Sequence, residues 1–172
     1  MRRLVPFFLL LSVFAIGCGR PFKVRTAPGF LELEGQKVDG YDYRATTPEG
    51  VAFAVRVVDD EDRGDTDFWI RTITLKVRDE MGYALVSTTD AVSADGTKGK
   101  TLKFGHDEAG KPFDYWVTVF VAQGRLFLVE SGAPHELMEK AKQSVEWMTK
   151  TVKVKCDTFV SPVLASRTCN KW

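Results

Sequence analysis

Tyr115-Trp116-Val117-Thr118-Val119-Phe120-Val121-Ala122-Gln123-Gly124-Arg125-Leu126-Phe127-Leu128-Val129 is the stretch that decides the fold of this chain. Its two halves are apolar at nearly every position and rich in aromatic and β-branched residues, which suit strands. Gln123-Gly124 between them has the length and composition of a two-residue hairpin turn. Strands with no polar face must be covered on both sides. The stretch therefore predicts an antiparallel sheet with helices on both faces, an α+β architecture of about six strands.

Downstream, Pro134 suits the first position of a helix. Leu137, Ala141, Val145 and Met148 form one stripe, with Met138 beside it. Glu136 and Lys140 are spaced for an i,i+4 pair. Thr151 to Val154 reads as a short strand-like exit. Upstream, His106 to Pro112 reads as a turn-rich loop. Thr101 to Phe104 alternates charged and apolar residues, predicting one buried and one wet face. Asp95-Gly96 signals a turn, and Tyr83 to Thr88 reads as a strand.

Phe68 to Met81 pulls in two directions. Its β-branched content favours a strand. Asp65 or Thr66 as an N-cap and Gly82 just past the end favour a helix. Trp69, Ile70, Ile73, Val77 and Met81 recur at a helical period, and we assign a helix. Earlier still, Thr47-Pro48-Glu49-Gly50 separates Tyr41–Thr46 from Val51–Val58, a hairpin pattern. Phe30 to Glu34 alternates loosely, as a first strand would.

The beginning of the chain carries a different message. Arg2 and Arg3 precede thirteen mostly apolar residues, Leu4 to Ile16. As a helix this run is about 20 Å long, too short for a bilayer core of about 30 Å. It has the form of a secretory leader. Ala15-Ile16-Gly17-Cys18 resembles the lipobox of bacterial lipoproteins. That resemblance implies cleavage before Cys18, a diacylglyceryl group on its thiol, and acylation of the new amine. Two or more acyl chains anchor a protein stably at about 0.8 kcal/mol per buried CH₂. Gly19 stands where Asp retains many lipoproteins in the inner membrane, so the resemblance points to the outer membrane, with the domain in the periplasm.

The expected organisation is a leader over residues 1–17, a tether over 18–29, a sandwich over 30–154 and a cysteine-closed tail over 155–172. The chain has 172 residues, with 24 Lys and Arg against 23 Asp and Glu. Losing Arg2 and Arg3 with the leader brings the net charge to −1. Such a balance offers no footprint for nucleic acid. Of the three cysteines, Cys18 is the lipidation candidate, which leaves Cys156 and Cys169 as a pair. In an oxidising envelope they suit a disulfide. Closing their 14-residue loop is worth about 3 kcal/mol in the chain-entropy model. Two cysteines without a nearby histidine make a poor zinc set.

Chemistry-bearing motifs are sparse. The acidic run Asp59, Asp60, Glu61, Asp62, Asp65 and Asp67 suggests calcium, but twelve residues from Asp60 stands Arg71 rather than Glu. We read it as a solvated loop near a helix N-terminus, where negative charge is favourable. His106 with Asp107 and Glu108 lacks a distant third ligand. No Gly-x-Ser-x-Gly, His-Glu-x-x-His or P-loop occurs. We expect no metal, no cofactor and no catalytic residue.

The order hairpin, helix, antiparallel strands, helix, with Gly82-Tyr83, Asp95-Gly96, the Phe113–Val129 hairpin and the Pro134–Met148 helix, resembles the PsbP-like αβα sandwich. That family includes the extrinsic photosystem II subunit, a nuclear Ran-binding protein and DcrB-type envelope lipoproteins. The resemblance covers Phe30 to Val154. It implies a non-catalytic binding or assembly module and assigns no functional residue. The expected partners are the membrane, through the acyl chains, and another envelope protein. The alternative is a small hydrophobic ligand or lipid, held in a pocket lined by Trp69, Trp116 and Trp147.

Overall fold

The computed structural model of the protein describes residues 20–155, apart from 36, 37, 39 and 62. Among the described residues, seven strands form one antiparallel sheet. They are β1 (Leu31–Glu32), β2 (Tyr43–Thr46), β3 (Ala52–Asp59), β4 (Ala84–Val92), β5 (Lys98–Glu108), β6 (Lys111–Ala122) and β7 (Arg125–Pro134). Their order across the sheet is β1-β2-β3-β7-β6-β5-β4. Helix α1 (Thr66–Met81) covers one face and α2 (His135–Thr151) the other.

The deciding hairpin is at the centre, as its lack of a polar face requires. Phe120 of β6 pairs with Phe127 of β7 across the sheet. Val117, Val119, Leu126 and Leu128 point to the α1 side, and Trp116, Phe120, Phe127 and Val129 to the α2 side. Gln123 (φ 55°) and Gly124 (φ 68°) turn the chain with two left-handed residues, the twist that two-residue hairpins favour.

In the ambiguous segment the caps decide. Asp65 accepts a hydrogen bond from the Phe68 amide, and Gly82 at φ 73° closes the end of α1 through bonds to Arg78 and Val77 carbonyls. A glycine meets that left-handed angle without a Cβ penalty. Trp69, Ile70, Ile73 and Val77 face the sheet, whereas Met81 is exposed.

Several expectations are corrected. Seven strands replace about six. The predicted loop from His106 to Pro112 is mostly strand, because the turn is confined to Ala109 and Gly110 with positive φ. Pro134 caps α2 from outside rather than opening it. Among the described residues, the ion pair made within α2 is Glu139 with Lys142, not Glu136 with Lys140. The segment read as a tether is docked from its described start. Phe22 and Ala27 are buried in the core, and Lys23 bridges Lys153. The strand-like exit at Lys153 thus has its partner in that docked segment.

Cys18, Cys156 and Cys169 lie outside the described residues. The tail beyond Lys155 leaves from a defined corner. Asp95 Oδ2 accepts from the amides of Val154 at 2.6 Å and Lys155 at 2.8 Å. Its other oxygen accepts from the hydroxyls of Ser93 and Thr97. Among the described residues, no helix is long and apolar enough to cross a membrane.

Candidate binding cleft

On the α2 face the sheet should be apolar, and near α2 it is. Further out, β5, β6 and β7 present Thr101, Lys103, Thr118 and Ser131 instead. Helix α2 leans over β6 and β7 and leaves a cleft of about 590 Å³ between itself and β4. Trp116, Thr118 and Ser131 form its floor. Val145, Glu146 and Thr149 line the helix side, and Ala91 and Val92 the β4 side.

Thr118 and Ser131 on the floor are buried, where an unpaired polar group is costly. Thr118, 2% exposed, shares a 2.7 Å hydrogen bond with Thr101. The Lys103 ammonium lies 3.6 Å from the centroid of the Trp116 ring and 3.5 Å from Glu146. The predicted wet face at Lys103 is therefore half-sheltered. Its stem and charge cover an indole that would otherwise face water, a cation–π arrangement. A ligand in this cleft meets the Lys103-capped indole of Trp116, a pair of hydroxyls and a cation with an anionic neighbour. That set suits an amphiphilic group rather than a bare hydrocarbon.

The other residues singled out in the sequence do not converge here. Trp69 belongs to α1, where its indole N–H donates to Asp60 at 3.1 Å. Trp147 stands on α2 and is exposed. The three tryptophans therefore do not line one pocket; Trp116 alone reaches the cleft. Asp60, 6% exposed, also accepts from the Gly64 amide at 3.0 Å, so this member of the acidic run secures the loop leading into α1.

His106 Nδ1 is 3.0 Å from the Gly82 carbonyl, and its ring lies against Tyr83. His135 Nδ1 is 2.9 Å from Asp114 at the exposed start of α2. Among the described residues, no hydroxyl or thiol is hydrogen-bonded to either histidine, and no three His, Cys, Asp or Glu side chains are grouped to hold a metal.

Sequence reasoning missed Glu130. Its carboxylate is buried in β7 on the α1 face. Arg56 donates to Oε1, and the hydroxyls of Tyr115 (3.0 Å) and Tyr41 (3.2 Å) donate to Oε2. Burial first, then the Glu130 charge, raises the phenol pKa of Tyr115 strongly and that of Tyr41 as well. Burial works against the Arg56 charge, but Glu130 outweighs it and holds the guanidinium pKa above its ordinary value. The signal in the sequence is a lone acid, Glu130, ending the apolar run of β7.

No family profile matches the chain, and no curated sequence matches it. Solved structures do. PsbP of the cyanobacterium Synechocystis sp. PCC 6803 is 13% identical, with a TM-score of 0.52 over 80% of this chain and 95% of that one. LpqN of Mycobacterium tuberculosis, involved in cell envelope biogenesis, is 9% identical, with a TM-score of 0.54 over 77% and 82%. The Saccharomyces cerevisiae Ran-binding protein Mog1p is 10% identical, with a TM-score of 0.54 over 78% and 90%. At these identities the likeness is one of fold. The domain has a PsbP-like fold, as the order of its elements suggested.

Proposed function

We propose that this chain is a lipid-anchored, non-catalytic binding module of the bacterial cell envelope. Acyl chains on Cys18 hold it to the outer membrane with the sandwich in the periplasm. There it binds another envelope protein and helps an assembly form or persist. The observation that carries the reading is the α2-side cleft. Its floor places hydroxyls and a sheltered cation where a plain core would have methyl groups. The lipobox resemblance and the fold shared with LpqN support the address. In this reading Cys156 and Cys169 close the tail by a disulfide, and alkylation should modify neither cysteine until a reductant is added.

The test is a photo-crosslinking residue at Val92, on the cleft rim, in cells. The reading expects a discrete crosslinked envelope protein that disappears when Thr118→Phe fills the floor. No crosslink from the rim, or one indifferent to Thr118→Phe, counts against it.

The Trp116 ring favours a second reading, in which the occupant is a small hydrophobic ligand or lipid. Native mass spectrometry of the isolated protein would then show a bound small molecule, absent from Thr118→Phe.

A further inference from the structure

The opposite face of the sheet has a concavity of its own. Helix α1 packs over β4, β5 and β6. The α1 side of β2, β3 and the far half of β7 lies beyond it, around a space of about 410 Å³. The floor is formed where side chains are smallest, at Ala54 of β3 and Gly132 of β7. A Cβ on Gly132 would meet Phe113 at 3.5 Å and Tyr115 at 3.6 Å, ordinary contact distances. The position therefore accepts a side chain, and its absence leaves open the gap beside those two rings.

Charge singles out Arg44 within this space. Arg56 and Glu130 answer each other, and both tyrosine hydroxyls are committed to Glu130. Arg44, whose register partner is Ala54, lines the same concavity and is half-buried. Among the described residues, none accepts a hydrogen bond from its guanidinium or forms an ion pair with it. Among the described residues, the groove thus carries one guanidinium without an ion-pair partner, in a partly desolvated setting where charges act more strongly than in water. A guanidinium matches a carboxylate in a two-pronged geometry. One cation suits one negative charge; a dianion would leave its second charge facing Glu130. The rings of Phe113 and Tyr115 offer apolar contact beside it.

We propose that this concavity is a second binding site, for a small monocarboxylate with an aromatic or branched apolar body. The carboxylate sits on Arg44 and the body lies over Gly132 against Phe113 and Tyr115. The sheet separates this site from the α2-side cleft, and the proposal is independent of the function read from that cleft.

The test is a titration of the full chain followed by backbone amide NMR. The probes are 3-phenylpropionate, acetate and the uncharged 3-phenylpropanamide. The first is expected to shift the amides of Ala54, Phe113 and Gly132 and to saturate at about millimolar concentration, as a fragment of its size does. The amide and acetate should each bind at least about tenfold more weakly, lacking the charge-assisted bonds or the apolar contact. Arg44→Gln should weaken 3-phenylpropionate at least about tenfold, the worth of those bonds. Gly132→Val, with Arg44 intact, should abolish the shifts, and Ala54→Leu provides a second block of the floor. Equal binding of acid and amide, shifts that map away from the groove, or no saturable shift with either carboxylate would overturn the proposal.

Discussion

The ammonium of Lys103 rests 3.6 Å above the centre of the Trp116 ring, on the floor of the α2-side cleft. The relationship joins an edge-side strand to the central hairpin, and it makes the cleft floor polar without leaving a charge unanswered. Replacing Lys103 by Met keeps the stem and removes the charge. The expected loss is about 1 kcal/mol, within the range of a sheltered cation–π contact, measured as a lower urea midpoint at unchanged slope.

Asp95 ties the β4–β5 turn to the chain's exit at Val154 and Lys155. Burial alone would raise its pKa. The Ser93 hydroxyl, the Lys155 amide, the Thr97 hydroxyl and the Val154 amide outweigh it and hold the carboxyl below the ordinary value. A group with a depressed folded pKa stabilises fully above its unfolded pKa and loses that contribution as pH falls through the folded value. Stability should therefore drop below about pH 4, the unfolded carboxylate value. Asp95→Ala should cost about 2 kcal/mol at neutral pH and flatten that acid slope, as followed by thermal melts across pH.

Glu130 collects three donors, so removing it should cost more than removing any one of them. Glu130→Leu is expected to lose about 3 kcal/mol, because Arg56 and two hydroxyls are left without their acceptor. Arg56→Met should cost less, since that guanidinium is partly exposed. Ultraviolet titration adds a second readout. Without the Glu130 charge the Tyr115 phenol should ionise at lower pH. Burial, the larger cause, keeps it above an ordinary tyrosine.

The start of α1 depends on Asp65. Asp65→Ala should destabilise by about 1 kcal/mol, the usual worth of an N-cap. Helical content should fall only slightly, because Trp69, Ile70, Ile73 and Val77 keep the helix on the sheet.

What the sequence revealed follows from local physics. The Tyr115–Val129 hairpin was legible because its turn and its double-sided apolarity are both local. The α1 segment was legible through Asp65 and Gly82, though its β-branched residues argued otherwise. Phe22 was not legible as core, since a short segment with Pro21 and Pro28 shows no period until its partner Lys153 is known. Lys103 read as solvent-facing because alternation gives a direction but not the indole waiting there. Glu130 and Arg44 were hidden for a similar reason. Strand order brings Tyr41, Arg56 and Tyr115 together, and pattern within one strand cannot report it.

The proposed function needs a domain held to a membrane by acyl chains, and the state of residue 18 tests that most directly. Mass spectrometry of the N-terminal peptide from bacterial membranes should find a chain beginning at Cys18 and carrying acyl groups. An unmodified thiol at Cys18 on a chain that still bears Met1 to Gly17 would contradict it.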